Sequence, residues 1–215
     1  MSEITTRPTP SEEFWEPHYA QLDSAWAAHP NVVLERVVTS ALGGSAVGTA
    51  LEVGCGHGAD AVWLASLGWQ VTAVDVSATA VARTLDRARK AGLEDRVTGS
   101  VVDLTQEMPE GLFDLVTASY FQTPVPIDRA GTLRRIAGLI APGGTLVVVE
   151  HASLAPWSWN RGPTDFPTPE QTLASIGLTG GWFPVEVRVG ARLATGPLGE
   201  SAEVLDNIIV VRREH

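Results

Sequence analysis

The stretch that decides the fold is LEVGCGHGADAVWLASLGWQVTAVDVS, which runs from Leu51 to Ser77. An apolar run stands near each end of it, and the first run leads into glycines at positions 54, 56 and 58. Between the two runs, GADAVWLASLG has the pattern of a short helix. A strand, a glycine turn, a helix and a second strand together predict a parallel βαβ unit.

The rest of the chain continues this alternation. Predicted strands VTGSVV, FDLVTASY and TLVVVEHA alternate with predicted helices, and APGG is expected to form a turn before TLVVVEHA. The last two strand-like runs, around FPVEVRVGARLAT and VLDNIIVVRRE, are joined by the short link GPLGES and should pair as an antiparallel hairpin. The pattern predicts an α/β fold: a Rossmann-like, doubly wound sheet of seven strands, mostly parallel, with helices on both faces.

The chain of 215 residues is expected to form a single domain. Residues 1–10, rich in Thr and Pro, should be loose, and residues 11–45 should form an N-terminal helical cap. The first helix of that cap is expected to start with Ser11 as its N-cap. The second, PNVVLERVVTSAL, is expected to have Pro30 just inside its start.

Composition excludes several classes of partner. The net charge of −10 argues against a nucleic-acid partner, which requires a basic face. No apolar run is long enough for a membrane span, and the N-terminus lacks the apolar core of a secretory signal. The single cysteine, Cys55, permits no disulfide within the chain. These features predict a cytoplasmic protein, with no membrane partner and no metal-ligand cluster.

The glycine turn is expected to hold a nucleotide. In an open α/β sheet the ligand lies at the carboxyl ends of the strands, where Asp75 could accept hydrogen bonds from two ribose hydroxyls. The segment GCGHGA also fits the loose pattern of dinucleotide-binding turns. Glu52, just before the glycines, favours another ligand. It would repel a pyrophosphate but not the cationic amino group of S-adenosylmethionine (SAM).

Several motifs, taken together, resemble those of the class I SAM-dependent methyltransferases. They are LEVGCGHG, VTAVDVS, VVDL, FDLVTASY and IAPGGTLVVVE, in that order, and the resemblance covers about residues 12–212. Within the class, FWEPHY is similar to the start of the small bacterial methyltransferases of the tellurite-resistance and thiopurine methyltransferase type. The resemblance implies SAM as methyl donor, S-adenosylhomocysteine as product and a small molecule as methyl acceptor.

The resemblance also implies a set of cofactor-binding residues. Glu52 would hold the methionine end of SAM, the turn would approach the cofactor closely, and the residues after the second and third strands would contact ribose and adenine. Two aromatic residues of the first helix would cover the methionine end, and the end of the fourth strand would meet the SAM amino group. The full set is Trp15, Tyr19, Glu52, Gly54, Cys55, Gly56, Gly58, Asp75, Val76, Asp103, Leu104, Ala118, Ser119 and Tyr120.

The candidate for the acceptor side is His151, which follows the most apolar strand and could take a proton from the acceptor. The aromatic residues Trp157, Trp159 and Phe166 are expected to form a lid over the acceptor. Transfer from a sulfonium to a soft nucleophile needs no base, and the sequence displays no unmistakable one, which favours a thiol or another soft acceptor. Two alternatives stay open: an NAD(P)-linked oxidoreductase, and a SAM-binding protein without catalysis.

Overall fold

Seven strands form one sheet in the computed structural model, which describes residues 8–22, 29–42, 47–158 and 165–215. The strands are β1 (Thr49–Val53), β2 (Gln70–Asp75), β3 (Val97–Val101), β4 (Phe113–Ser119), β5 (Ile140–His151), β6 (Trp182–Thr195) and β7 (Ser201–Arg213). The helices are α1 (Pro10–Gln21), α2 (Val32–Leu42), α3 (Ala59–Ser66), α4 (Ala78–Lys90), α5 (Arg129–Ala137) and α6 (Pro169–Ile176).

The strand order is β3-β2-β1-β4-β5-β7-β6, and the first five strands run parallel to one another. Strand β7 lies between β5 and β6 and is antiparallel to both. The strand order reverses between β1 and β4, so the carboxyl ends of these two strands flank the crevice where open α/β sheets bind ligands. The predicted fold class is confirmed.

Both faces of the sheet are covered by helices. Alternate residues of β5 divide between two apolar clusters: Val147 and Val149 pack with α2, α3 and α4, whereas Leu146 and Val148 pack with α5 and α6. His151 continues the series of Val147 and Val149, which places it on the face of α2 and α3. In the part of the chain that the structure describes, no helix is long and apolar enough to cross a membrane.

Three local expectations are corrected by the structure. Helix α1 begins at Pro10 with Thr9 as its N-cap, because Thr9 rather than Ser11 accepts the backbone N–H of Glu12. Helix α2 begins at Val32, beyond Pro30. The segment APGG is not a separate turn but an irregular part of β5, where the pairing with β4 shifts register.

The close approach of Gly58 to α4 can be tested by comparison with Gly92, a second glycine with positive φ just after that helix. Gly58 has φ of 78°, and a Cβ there would stand 2.6 Å from the backbone Cα of Thr84. Gly92, with φ of 68°, has nothing within 4 Å of that position. Gly58→Ala should therefore lower the free energy of unfolding by about 3 kcal/mol, and Gly92→Ala by only about 1 kcal/mol. Urea unfolding of both variants measures the difference, and equal losses would refute the close approach.

Candidate functional site

The glycine turn after β1 is fastened to the end of β2. Gly54, Gly56 and Gly58 all have positive φ, so the chain reverses tightly between β1 and α3. The backbone N–H of Cys55 donates to the carbonyl of Val74 over 2.9 Å. The Cys55 thiol is buried and accepts a hydrogen bond from Thr84 Oγ1, and burial raises its pKa. Cys55 is therefore a neutral part of the turn.

Asp75 connects the glycine turn after β1 to the start of α4. Its Oδ2 accepts the backbone N–H of Gly56 over 3.0 Å, and its Oδ1 accepts that of Ser77 over 2.9 Å. Each carboxylate oxygen can accept a further hydrogen bond, which fits the two hydroxyls of a ribose. Asp75 is only 5% exposed, and this burial raises its pKa to about 6 in spite of the backbone hydrogen bonds.

Two further carboxyl groups lie near the glycine turn, where the resemblance predicts the methionine end of SAM. Glu52, at the end of β1, is buried and accepts a hydrogen bond from the Thr117 hydroxyl of β4. Burial raises its pKa well above the usual value, and nearby Asp60 raises it further. Asp60 accepts the backbone N–H of Asn31 over 2.7 Å, and burial raises its pKa too. No Lys or Arg among the described residues forms an ion pair with either carboxyl group. These two hydrogen-bond acceptors fit the ammonium group of a ligand such as SAM, which is a donor only.

Helix α1 lies across the glycine turn. The Tyr19 hydroxyl is 3.1 Å from the point where a Cβ of Gly56 would stand, and the Tyr19 ring packs edge-on against His57. Trp15, one turn earlier, donates its Nε1–H to Thr123 Oγ1 beyond β4, over 3.2 Å. The helix thus reaches from the turn after β1 to the loop after β4, and both aromatic residues predicted to cover the cofactor are brought to this place.

Glu16, which the sequence did not single out, fastens α1 to the start of α4. Its carboxylate accepts hydrogen bonds from the hydroxyls of Ser77 and Thr79 and from the backbone N–H of Thr79. These bonds hold the pKa of Glu16 below its usual value. Arg83 of α4 adds a bond from Nη1 to the carbonyl of Tyr19 over 2.7 Å. Helix α1, which is expected to cover the cofactor, is therefore anchored to α4 next to Asp75.

The residues predicted to flank adenine lie at the ends of β2 and β3. Val76 follows Asp75 directly, and Leu104 is buried. Asp103 Oδ1 accepts the backbone N–H and the hydroxyl of Thr105, so this carboxylate also shapes its own loop. Ala118 is buried inside β4 and Ser119 ends the strand.

The far side of the crevice is formed by Tyr120, His151 and a third residue, Asp206 of β7. The rings of Tyr120 and His151 stack with centroids 3.9 Å apart and planes within 10°. Tyr120 donates its hydroxyl to Asp206 Oδ2 over 3.3 Å, and His151 Nδ1 lies 3.8 Å from Asp206 Oδ1. Tyr120 has φ of 55°, the only positive φ outside glycine among the described residues. The ring of Tyr120 thus packs on His151 from a backbone conformation that is rare outside glycine.

Other side chains hold this arrangement. Gln122 clamps the backbone of His151, accepting its N–H over 2.7 Å and donating to its carbonyl over 3.2 Å. Arg192 of β6 donates Nε–H to Asp206 Oδ2 over 2.5 Å, which compensates the charge of this fully buried carboxylate.

Of the aromatic residues expected to form a lid over the acceptor, Trp157 lies against Gly196, between β6 and β7. Trp159 is outside the described residues.

Comparison with known proteins agrees with this geometry. The sequence profile of the methyltransferase domain family matches residues 51–148. A ubiquinone biosynthesis O-methyltransferase from Xanthomonas campestris is 42% identical over 98 residues, which cover 45% of this chain and 40% of that protein. The chain spans only 35% to 40% of the length of this protein and three other curated relatives that it matches.

Two solved structures share the fold across most of the chain. The N-methyltransferase NodS from Bradyrhizobium japonicum, in complex with S-adenosylhomocysteine, has a TM-score of 0.68 at 17% identity, covering 95% of this chain and all of that one. TehB from Haemophilus influenzae has a TM-score of 0.65 at 17% identity, covering 95% of this chain and 67% of that one. Residues 51–148 thus match a methyltransferase domain, and the predicted resemblance to the class I SAM-dependent methyltransferases is confirmed. SAM is the cofactor of that class.

Asp75 predicts both the strength and the pH dependence of SAM binding. Two charge-assisted hydrogen bonds to a ribose contribute about 3 kcal/mol together, so Asp75→Asn should weaken SAM binding about 100-fold. Only the ionised carboxylate accepts both bonds. Since its pKa is about 6, affinity should be full above pH 6 and should fall as pH decreases below it, by up to roughly tenfold per unit.

Calorimetric titration with SAM between pH 5 and 8 measures both effects. Glu52 and Asp60 also titrate, so the diagnostic quantity is the difference between the parent protein and Asp75→Asn, which should shrink as pH falls. A difference under threefold at pH 8, with unchanged circular dichroism, would mean that the carboxylate does not face the ribose.

The hydrogen bonds of Glu16 should protect the backbone amides of α1 from exchange. Glu16→Ala removes three hydrogen bonds between α1 and α4, so backbone amides of α1 should exchange with deuterium faster while those of the sheet are unchanged. Glu13→Ala is the matched control, because Glu13 is an exposed residue of the same helix. Hydrogen exchange followed by mass spectrometry measures this. Equal protection of α1 in both variants would count against the anchoring.

Proposed function

We propose that this chain transfers the methyl group of SAM to a hydroxyl oxygen of a small-molecule acceptor, with His151 as the general base. The observation that carries the proposal is the buried carboxylate of Asp206, 3.8 Å from His151 Nδ1, at the carboxyl end of β5. The side chain of His151 is 39% exposed, so its ring can reach a ligand. The imidazole therefore has both an orienting acid and access to the crevice.

The cofactor contacts in this proposal follow the geometry of the crevice. Asp75 accepts the ribose hydroxyls, and the glycine turn lets the backbone approach the cofactor. Glu52 and Asp60 receive the ammonium group, whose charge would offset the burial of two carboxylates. Trp15 and Tyr19 exclude water from the methionine end, and Asp103 with Leu104 borders the adenine.

Bound SAM supplies an electrophilic methyl group on a sulfonium, and S-adenosylhomocysteine is left when the new carbon–oxygen bond forms. The side chains of the protein accept the proton that the acceptor hydroxyl loses. An Nδ1–H of His151 directed at Asp206 leaves Nε2 as the nitrogen that takes the hydroxyl proton. Asp206 then stabilises the imidazolium, and Tyr120 holds the ring in one orientation by stacking. The distance of 3.8 Å is too long for a hydrogen bond in the free protein and would shorten when the acceptor binds.

A soft acceptor such as a thiol is the second candidate, because a thiolate needs no base. The sequence alone favours a thiol acceptor, because it displays no evident base. The contact between His151 and Asp206 joins residues 55 positions apart and supplies the arrangement that a hydroxyl acceptor requires. The name of the ubiquinone biosynthesis O-methyltransferase points the same way.

His151→Ala separates the two chemistries. With a hydroxyl acceptor, loss of the base should reduce kcat/KM by 10²–10⁴-fold while the affinity for SAM is unchanged. With a thiol, the reduction should be about tenfold or less. The experiment uses matched phenols and thiophenols, S-adenosylhomocysteine release as the readout, and His29→Ala as the control, since His29 is exposed.

Methylation of thiophenols alone, or full phenol methylation by His151→Ala, would overturn the hydroxyl proposal. SAM binding with no methyl transfer to any acceptor would instead indicate a SAM-binding protein without catalysis.

A further inference from the structure

Three arginines lie on the acceptor side of the sheet beyond His151. Arg188 and Arg192 are separated by an even number of positions in β6, so their side chains lie on the same face of that strand. Arg192 is bound to Asp206, which places this face beside the proposed base. Arg188 donates Nε–H to Glu186 over 2.7 Å, and Arg36 of α2 reaches the same carboxylate over 3.4 Å.

Gly190 directs Arg188 toward the acceptor site. It stands between the two arginines of β6, and a Cβ there would lie 2.9 Å from Arg188 Nη1. The guanidinium of Arg188 therefore extends along the strand over the space that a side chain at position 190 would occupy. Arg188 remains 43% exposed, so the outer edge of its guanidinium is open to a ligand.

The strand register gives the distance to the base. Gly190 of β6 pairs with Asp206 of β7, and Asp206 pairs with His151 of β5. The three residues form one row across the sheet, and adjacent strands lie about 4.8 Å apart. A guanidinium over Gly190 is thus on the order of 10 Å from the backbone of His151, a span that one substituted aromatic ring can bridge.

The three arginines contact only two carboxylates. Arg192 is compensated by Asp206, whereas Arg36 and Arg188 share the single carboxylate of Glu186. This group of three arginines and two acids therefore carries one positive charge in excess, in a chain whose net charge is −10. Guanidinium groups bind carboxylate and phosphate oxygens with paired hydrogen bonds.

We infer that the methyl acceptor carries an anionic oxygen group, which Arg188 binds while His151 faces the hydroxyl. This inference rests on the proposed function, since it places the hydroxyl at His151. Arg188 is then a specificity-determining residue: it would select hydroxylated acids over neutral molecules of the same shape and fix which hydroxyl meets the base.

Binding of isosteric probes tests the inference. Calorimetry on the protein saturated with S-adenosylhomocysteine compares 3- and 4-hydroxybenzoate with the corresponding hydroxybenzamides, and 4-hydroxyphenyl phosphate shows whether phosphate is preferred to carboxylate. At least one acid should bind tenfold or more tightly than its neutral counterpart. Arg188→Gln should reduce that ratio to within twofold and leave SAM affinity unchanged. Lys90→Gln, which removes one charge from an exposed position of α4, should keep it.

Equal or tighter binding of the amides, failure of every acid to bind, or an unchanged ratio in Arg188→Gln would overturn the inference. The comparison of acid with amide on the parent protein is decisive even if the variant fails to fold. Because binding is measured without methyl transfer, a preference for acids together with transfer to sulfur would refute the proposed hydroxyl chemistry and leave charge selection standing.

Discussion

The carboxylate of Asp75 is the constraint on which the cofactor side of the structure depends. By accepting the N–H groups of Gly56 and Ser77, it fixes the glycine turn after β1 against the start of α4. The same N-terminal turn of α4 supplies the hydroxyls and the N–H that hold Glu16 of α1. One buried acid thus determines where the turn, α4 and α1 meet. Its raised pKa follows from that burial, and a cofactor that supplies two donors would relieve part of the cost.

The acceptor side is organised by register across the other half of the sheet. Because β7 is inserted between β5 and β6, Asp206 lies next to His151 on one side and Gly190 on the other. The proposed base, the acid that would orient it and the strand position between two arginines therefore form a single row. The antiparallel hairpin of β6 and β7 supplies Asp206 and Arg192, the charged residues next to His151 of β5.

The sequence was most informative where function follows from a position along one strand. Glu52 and Asp75 end predicted strands, so the parallel topology alone brings them to the same edge. Asp206 and Arg192 could not be found in this way, since their relevance depends on which strands pair and in which register. The polar pair Asp206-Asn207 within VLDNIIVV was a usable signal, because buried strands seldom carry unpartnered polar residues. Glu16 gave no such signal, because acids are common at partly exposed positions of a helix.

The most direct test of the account is the fate of the methyl carbon. The protein is incubated with SAM labelled with carbon-13 in the methyl group and with an equimolar mixture of matched phenol and thiophenol acceptors, with and without a carboxylate. Nuclear magnetic resonance then distinguishes an oxygen-bound from a sulfur-bound methyl carbon. The proposed hydroxyl chemistry predicts label on the oxygen of the carboxylate-bearing phenol and loss of that label in His151→Ala. Label on sulfur, or label that stays on SAM with all acceptors, would contradict it.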